Sequence, residues 1–470
     1  MTVESKNVYK INPTSLDSLF GGIYATLGIY KNTPLVHGGH GCVSYVKSVF
    51  VKHFKEPVNI ATTGFYEVSA IYGGRENLKE GILNLISNYN PDIITILTTG
   101  LSETIGEDVY GIVKSIEKGL DDNVVLVPVG TPSYRGNYVI SYDDTLKSII
   151  LEIMDKNNNK SNKSNKNNNE YNKNNKINIK INKINNKNNT KNSENFNNYL
   201  SVIPGVVNPG DVREIKDIFK KLNININLLN DITSLDRPLK PERERFPKCD
   251  ATINTIKNIP NTDGVIYFGN EGTITGDYLK KKGISTYNLK PPIGIENTDR
   301  FISFLSNLYN TDIPESILDD RGYALDIMID GNSVFRNKKV CIYGSPNMVV
   351  GLSEFMFELG MDVKVAMSNI LSKYFLDEMN RIMKENNCKI EVINGGDLYT
   401  LKNTLNNIKV DFVMGDSRGV YLEEKLNIPL LRVGLPILDR YNYHKKAIYG
   451  YGGALRLSED IANMLISRKK

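Results

Sequence analysis

The chain has 470 residues, 40% of them hydrophobic, with a formal net charge of +5 and four cysteines. At ~100–200 residues per domain this predicts two to four domains with real cores, and no apolar run reaches the ~18 residues of a membrane span. MTVESKNVYK lacks an apolar stretch behind a basic start, and the cysteines at 42, 249, 341 and 388 are too scattered for a disulfide framework or a CxxC zinc pair, so a reducing, cytoplasmic setting is expected.

In chain order, INPTSLDSLF reads as a helix entrance, with Asp17 as cap or first-turn acid. VHGGHGCVSYVKSVFVKHF follows. His37 and His40 flank a Gly-Gly turn, and their spacing suits zinc only if a third ligand joins them. Cys42 opens an apolar-periodic helix. A thiol there meets the positive end of the helix dipole and free N–H groups, which suits a nucleophile or a metal ligand; a small packed cysteine is the alternative. His53, in KHFKE, reads as part of a solvated or salt-bridged face.

PDIITILTTG and VVLVPVGTPSY are short apolar runs that end in turns. Residues 156–199 then hold ten Lys, two Glu and 21 Asn among 44 residues, a local charge of +8 that leaves −3 for the rest. The remainder carries no global basic footprint for nucleic acid. The segment has no pattern able to bury a face against its ordering entropy, so a disordered insertion is expected.

Beyond it, YLSVIPGVVNPGDVREIKDIFKK gives strand, loop and helix, with Asp211 as a plausible cap. DGVIYFGN, GISTYNL, KKVCIYGSPNMVVGLSEFMFELGMDVKVAMS, CKIEVINGG, VDFVMGDS and PLLRVGLP continue the rhythm. Strands alternating with helices predict an α/β fold of Rossmann-like domains, parallel sheets flanked by helices. The expected units are 1–155, 200–330 and 331–470, with ligands near the carboxyl ends of strands. YGSPNMVVG is a weak dinucleotide match. No GxxxxGK(S/T) loop or GxSxG elbow is present. Cys249, Cys341 and Cys388 have no partner at ligand spacing, so the chain cannot hold an iron–sulfur cluster on its own four thiolates.

INPTSLDSLFGGIYATLGIYKNTPLVHGGHGCVSYVKSVFVKHFKEPV, YGGRENLKEGI, TTGLSETIGEDV, VPVGTPSYRG, PLLRVGLPILDRY and YGYGGALRL together resemble the nitrogenase component 1 family, in order and over nearly the whole chain except the Asn/Lys segment. The likeness is to its beta-type branch, most of all to NifN, a subunit of the scaffold that matures the iron–molybdenum cofactor. The resemblance implies three α/β domains, an α2β2 heterotetramer with an alpha-type, NifE-like subunit, and an ATP-dependent iron protein as electron donor. In the catalytic beta subunit three cysteines bind an eight-iron cluster. Their positions fall here on Asp17, Cys42 and Gly100.

With one thiolate of three retained, the resemblance implies a 4Fe-4S cluster shared with the partner through Cys42, and an iron–molybdenum cofactor precursor held mainly by that partner. On this reading the chain acts in cofactor assembly, not as an independent enzyme. Asp17 is a weaker candidate ligand, because a carboxylate serves so in the related dark-operative protochlorophyllide reductase. Glu103 and Asp108 are expected near the cluster as orienting residues. The alternatives are a catalytic beta subunit of a nitrogenase or tetrapyrrole reductase, and a ligand-binding α/β protein that has lost its cluster.

Overall fold

The apolar runs become strands stacked side by side, and the central ones are buried on both faces as parallel sheets require. A computed structural model describes residues 3–4, 11, 13–120, 124–169, 199–239 and 244–467. Among these residues the named strands form three sheets with all pairings parallel. β1 (Val3–Glu4) belongs to the last of them. The first sheet has the order β3-β2-β4-β5, from β2 (Asn32–His37), β3 (Ala61–Thr62), β4 (Ile93–Thr98) and β5 (Val125–Val129). β2 and β4 are buried along their whole length and pair from Asn32–Ile93 to His37–Thr98. Pro128 lies in β5, the edge strand, where a missing N–H costs no ladder bond on the open side.

The second sheet joins β6 (Tyr199–Ile203), β7 (Asn225–Leu228), β8 (Val265–Phe268) and β9 (Thr286–Leu289). The third joins β10 (Lys339–Gly344), β11 (Asp362–Ser368), β12 (Glu391–Asn394), β13 (Phe412–Gly415) and β14 (Leu430–Arg432), with β1 alongside β12.

Two features cut across the boundaries drawn from sequence. β1, from the chain's start, completes the third sheet. The last helix, Gly450–Ser467, packs against helices of the middle unit, Pro209–Lys221, Gly294–Tyr309 and Glu315–Asp330. The helix Tyr138–Asn169 also runs into the Asn/Lys segment; the remainder of that segment, 170–198, lies outside the described residues. No helix among the described residues is long and apolar enough to cross a membrane.

Helix α1 (Ser18–Leu27) lies against the helix Tyr138–Asn169 at very short range. A Cβ on Gly21 would stand 1.9 Å from the Tyr138 carbonyl oxygen. Gly21→Ala therefore forces the two backbones apart. It is expected to destabilise the chain by about 3 kcal/mol, the upper end of core overpacking, read as a lower urea midpoint at unchanged slope. A midpoint equal to the wild type would contradict this contact.

Candidate functional site

The carboxyl ends of β2, β4 and β5 open onto a surface cleft of about 270 Å³. Asp17, Cys42 and Gly100 all line it, with Tyr45, Thr99 and Ser133. Three positions far apart in sequence are thus brought around one opening, at the end of a parallel sheet where ligands bind.

Cys42 is the third residue of helix α2 (His40–Phe54) and is exposed. The loop before it runs close under the turn after β4: a Cβ on Gly38 would lie 2.3 Å from Thr99 Cγ2, so only glycine fits. That turn is held from both sides. The Thr99 and Ser102 hydroxyls both donate to the His37 carbonyl, at 3.3 and 3.0 Å, and the Thr99 N–H donates to Ser102 Oγ at 3.0 Å. The short helix Gly100–Thr104 begins there. A Cβ on Gly100 would meet only Tyr134 Cε1, at 3.9 Å, an ordinary contact. The backbone at this position does not demand glycine.

Asp17 caps α1, accepting from the Leu19 N–H at 3.0 Å. Its two carboxylate oxygens also accept from Ser133 Oγ, each at 3.0 Å. The capping use read from NPTSLDSLF is the observed one, and Ser133, which the sequence reading did not single out, ties the cap to the loop after β5.

Glu103 and Asp108 are engaged in structure. Glu103 accepts from Thr98 Oγ1 at 2.7 Å and pairs with Arg135 at 3.3 Å, bridging the ends of β4 and β5. Asp108 caps the helix Val109–Glu117 through the Gly111 N–H. Glu107, between them, is the acid that reaches a histidine. Its Oε2 lies 2.6 Å from His37 Nε2, and its Oε1 accepts from the Gly74 N–H at 2.5 Å. Burial lowers the His37 pKa, and Glu107 opposes that shift.

The remaining histidines do not gather into a site. His40 is exposed and lies 2.8 Å from the Tyr66 hydroxyl. His53 is buried, contrary to the solvated face expected for it. It receives the Ile437 N–H on Nδ1 at 2.9 Å, and its Nε2 lies 2.8 Å from Asn208 Oδ1. Burial, helped by the neighbouring His444, lowers its pKa to about 4, so it is a neutral pin between the three units. Asp211 also differs: Asn208 is the cap of Pro209–Lys221, and Asp211 is the reciprocal member of a capping box.

YGSPNMVVG lines a second, internal cavity of about 40 Å³ between the second and third sheets. The crevice is filled. A Cβ on Gly344 would stand 2.2 Å from Met348 Cε, and Asn347 bridges to the Phe268 carbonyl and the Asn270 N–H. A pyrophosphate has no room there, which disposes of the dinucleotide match. Glu271 also lines this cavity, 2% exposed, accepting from the Val206 N–H at 2.6 Å.

Among the described residues no three His, Cys, Asp or Glu side chains come together as a metal site. The first cleft instead offers one exposed thiol, one partly committed carboxylate and open space at Gly100. These donors fit a group that takes one thiolate from this chain and its other ligands from elsewhere. They do not fit a group that needs three thiolates from this chain.

The family model described as "Nitrogenase component 1 type Oxidoreductase" matches residues 18–466. The nitrogenase molybdenum–iron protein beta chain of Methanococcus maripaludis strain S2 is 33% identical, over 99% of this chain and 96% of the relative. The nitrogenase vanadium–iron protein beta chain of Trichormus variabilis is 33% identical, over 97% and 94% respectively. A solved structure described as Nitrogenase Cp1 at pH 6.5 superposes with a TM-score of 0.87 at 30% identity, over 99% of this chain and 95% of that one. The chain belongs to the nitrogenase component 1 family.

Proposed function

We propose that the chain is the beta-type subunit of the scaffold complex on which the iron–molybdenum cofactor of nitrogenase is matured. Its partner in this reading is an alpha-type, NifE-like subunit in an α2β2 heterotetramer, with an ATP-dependent iron protein as electron donor. Cys42 supplies its thiolate to a 4Fe-4S cluster shared across the subunit interface. Such a cluster, when bound, stores and passes single electrons toward a precursor held by the partner. Asp17 stays a helix cap on the rim, its carboxylate the weaker candidate ligand beside the Cys42 thiolate.

The observation that carries this reading is the single thiol at a three-position cleft: Asp17, Cys42 and Gly100 share one opening, and two of the three lack sulfur. The rim supports it as well. Tyr45, Leu101 and Tyr134 are large, exposed side chains beside the cleft, an apolar surface of the kind a partner subunit covers. A second reading, a catalytic beta subunit, is favoured by the relatives, which are beta chains of molybdenum–iron and vanadium–iron nitrogenases.

The two readings separate by iron count. The anaerobically purified heterotetramer is expected to show a four-iron signature at the shared cleft in electron paramagnetic resonance, with matching iron analysis. A double-cubane, eight-iron signature in the wild type would return the catalytic reading. Asp17→Cys combined with Gly100→Cys restores three thiols around the same opening. Because the Gly100 position tolerates a Cβ and loss of the Asp17 cap costs about 1 kcal/mol, this variant is expected to fold and to bind more iron per cleft than the wild type; unchanged iron would count against ligand supply as what limits the cluster.

A further inference from the structure

The entrance to α2 needs an anchor from elsewhere in the fold. Its cap residue, Gly39, brings no side chain to the first turn, and Cys42 stands in that turn. The anchor is the buried pair of His37 and Glu107. The His37 ring, at the end of β2, is fully buried, and the Glu107 side chain is 6% exposed.

This pair ties together four segments at the carboxyl end of the first sheet. Glu107, in the loop before the helix Val109–Glu117, meets His37 Nε2 at 2.6 Å with one oxygen. With the other it accepts from the Gly74 N–H at 2.5 Å. Gly74 is the cap residue of the helix Arg75–Tyr89 and has no side chain for the task, so Glu107 supplies the carboxylate at the positive end of that helix. A carboxylate only accepts, so Nε2 carries the ring proton, and Nδ1 takes the hydroxyl of Thr63, just past β3, at 3.1 Å. Phe65 stands edge-on to the ring, with centroids 5.0 Å apart. A Cβ on Gly74 would lie 2.3 Å from Phe65 Cε2 and 2.8 Å from His37 Cε1, so the ring is wedged in one place.

The main chain carries this restraint to the cleft. The His37 carbonyl accepts from the Thr99 and Ser102 hydroxyls, and Gly38 runs against Thr99. Thr99 and Gly100 line the cleft with Cys42. Groups one step behind a ligand orient it. We propose that Glu107 is a positioning residue for the Cys42 thiolate: through His37 it fixes the turn that presents the thiol to the cleft. The proposal rests on the reading of Cys42 as the thiolate of the shared cluster. Without Glu107 the Gly74 N–H and the His37 ring each lose a partner, and the end of β2 is free to shift.

The test compares wild type, Glu107→Ala and Glu107→Gln in the full chain, purified anaerobically with its partner. Electron paramagnetic resonance and iron analysis are read on each. Glu107→Ala is expected to move the g-values of the cluster signal or to leave the site short of iron. Glu107→Gln keeps both contacts: its carbonyl accepts from Gly74, its amide donates to His37, and the ring proton moves to Nδ1, facing Thr63. It is expected to return the wild-type signal. Ser372→Ala, which removes the cap of the helix Lys373–Glu385, is expected to lower the urea midpoint and leave the signal untouched, separating position from stability.

A wild-type complex without iron refutes the cluster reading, not the positioning. The positioning is then judged by amide hydrogen exchange on the full chain. Glu107→Ala is expected to speed exchange at residues 38–42 about tenfold or more, and Glu107→Gln to leave it as it is. Should Glu107→Ala not fold, Ser102→Ala, which frees the turn from the His37 carbonyl, is read in its place with the same expectation. The proposal is overturned by a wild-type signal and iron content in the variant read, by wild-type exchange where the complex holds no iron, by Glu107→Gln behaving as Glu107→Ala, or by Ser372→Ala changing the signal.

Discussion

Cys42→Ala in the purified heterotetramer abolishes or reshapes the iron–sulfur signal at the shared cleft and leaves the stability of the chain within about 0.5 kcal/mol of the wild type. Both halves of this expectation come from the same geometry. The thiol is exposed on the first turn of α2, so its removal opens no cavity, and alanine is the better helix former. Fold and cluster can therefore be read separately, one by urea midpoint and one by electron paramagnetic resonance with iron analysis. A signal that survives Cys42→Ala and disappears in Asp17→Ala would assign ligation to the carboxylate, as in a tetrapyrrole reductase. A complex free of iron before any substitution, and indifferent to this one, would mark a fold that has shed its cluster.

The second large effect concerns Glu271. Burial pushes its carboxyl up to about 8, with Asp143 adding to the shift and the Val206 N–H opposing it. A carboxyl whose folded value is raised stabilises the fold most at low pH. That contribution is complete below about pH 4.3 and is lost as pH rises toward 8. From pH 6 to pH 8 the loss from this group amounts to about 2 kcal/mol. Glu271→Gln keeps an acceptor for the Val206 N–H and carries no charge. It is expected to remove that part of the slope and to be the more stable protein at pH 8. Asp211, raised to about 6, and Glu214 and Glu358, both raised to about 7, titrate in the same direction but are common to both proteins and cancel in the comparison. Urea unfolding of the two proteins at both pH values is the measurement; parallel stability curves would show that Glu271 is ionised throughout.

The strands were legible in the sequence because parallel sheets bury both faces, and each then reads as an apolar run stopped by a turn, as in IITILT. The Asp17 cap was legible because its signal is local. His53 was misread because its sequence neighbours, Lys52, Lys55 and Glu56, are charged. On a helix, however, a residue shares its face with positions three, four and seven away, and for His53 these are Phe50, Val49 and Val46, all buried. Spacing likewise could not show that Asp17, Cys42 and Gly100 share one opening, since the contacts that set it run between elements: Ser133 to Asp17, and Thr99 and Ser102 to the His37 carbonyl. β1 escaped notice for the same reason, a two-residue strand recruited by a sheet more than 300 residues away.

The helix Tyr138–Asn169 starts just past the loop that carries Ser133 and extends for 32 residues, which at 1.5 Å each carries its far end about 48 Å away. The last turns of that helix already belong to the asparagine-rich tract, and its end lies remote from the loop that carries Ser133. An insertion at the helix end, Asn169, should therefore be silent toward metal loading, which makes that spot a convenient handle for affinity tags.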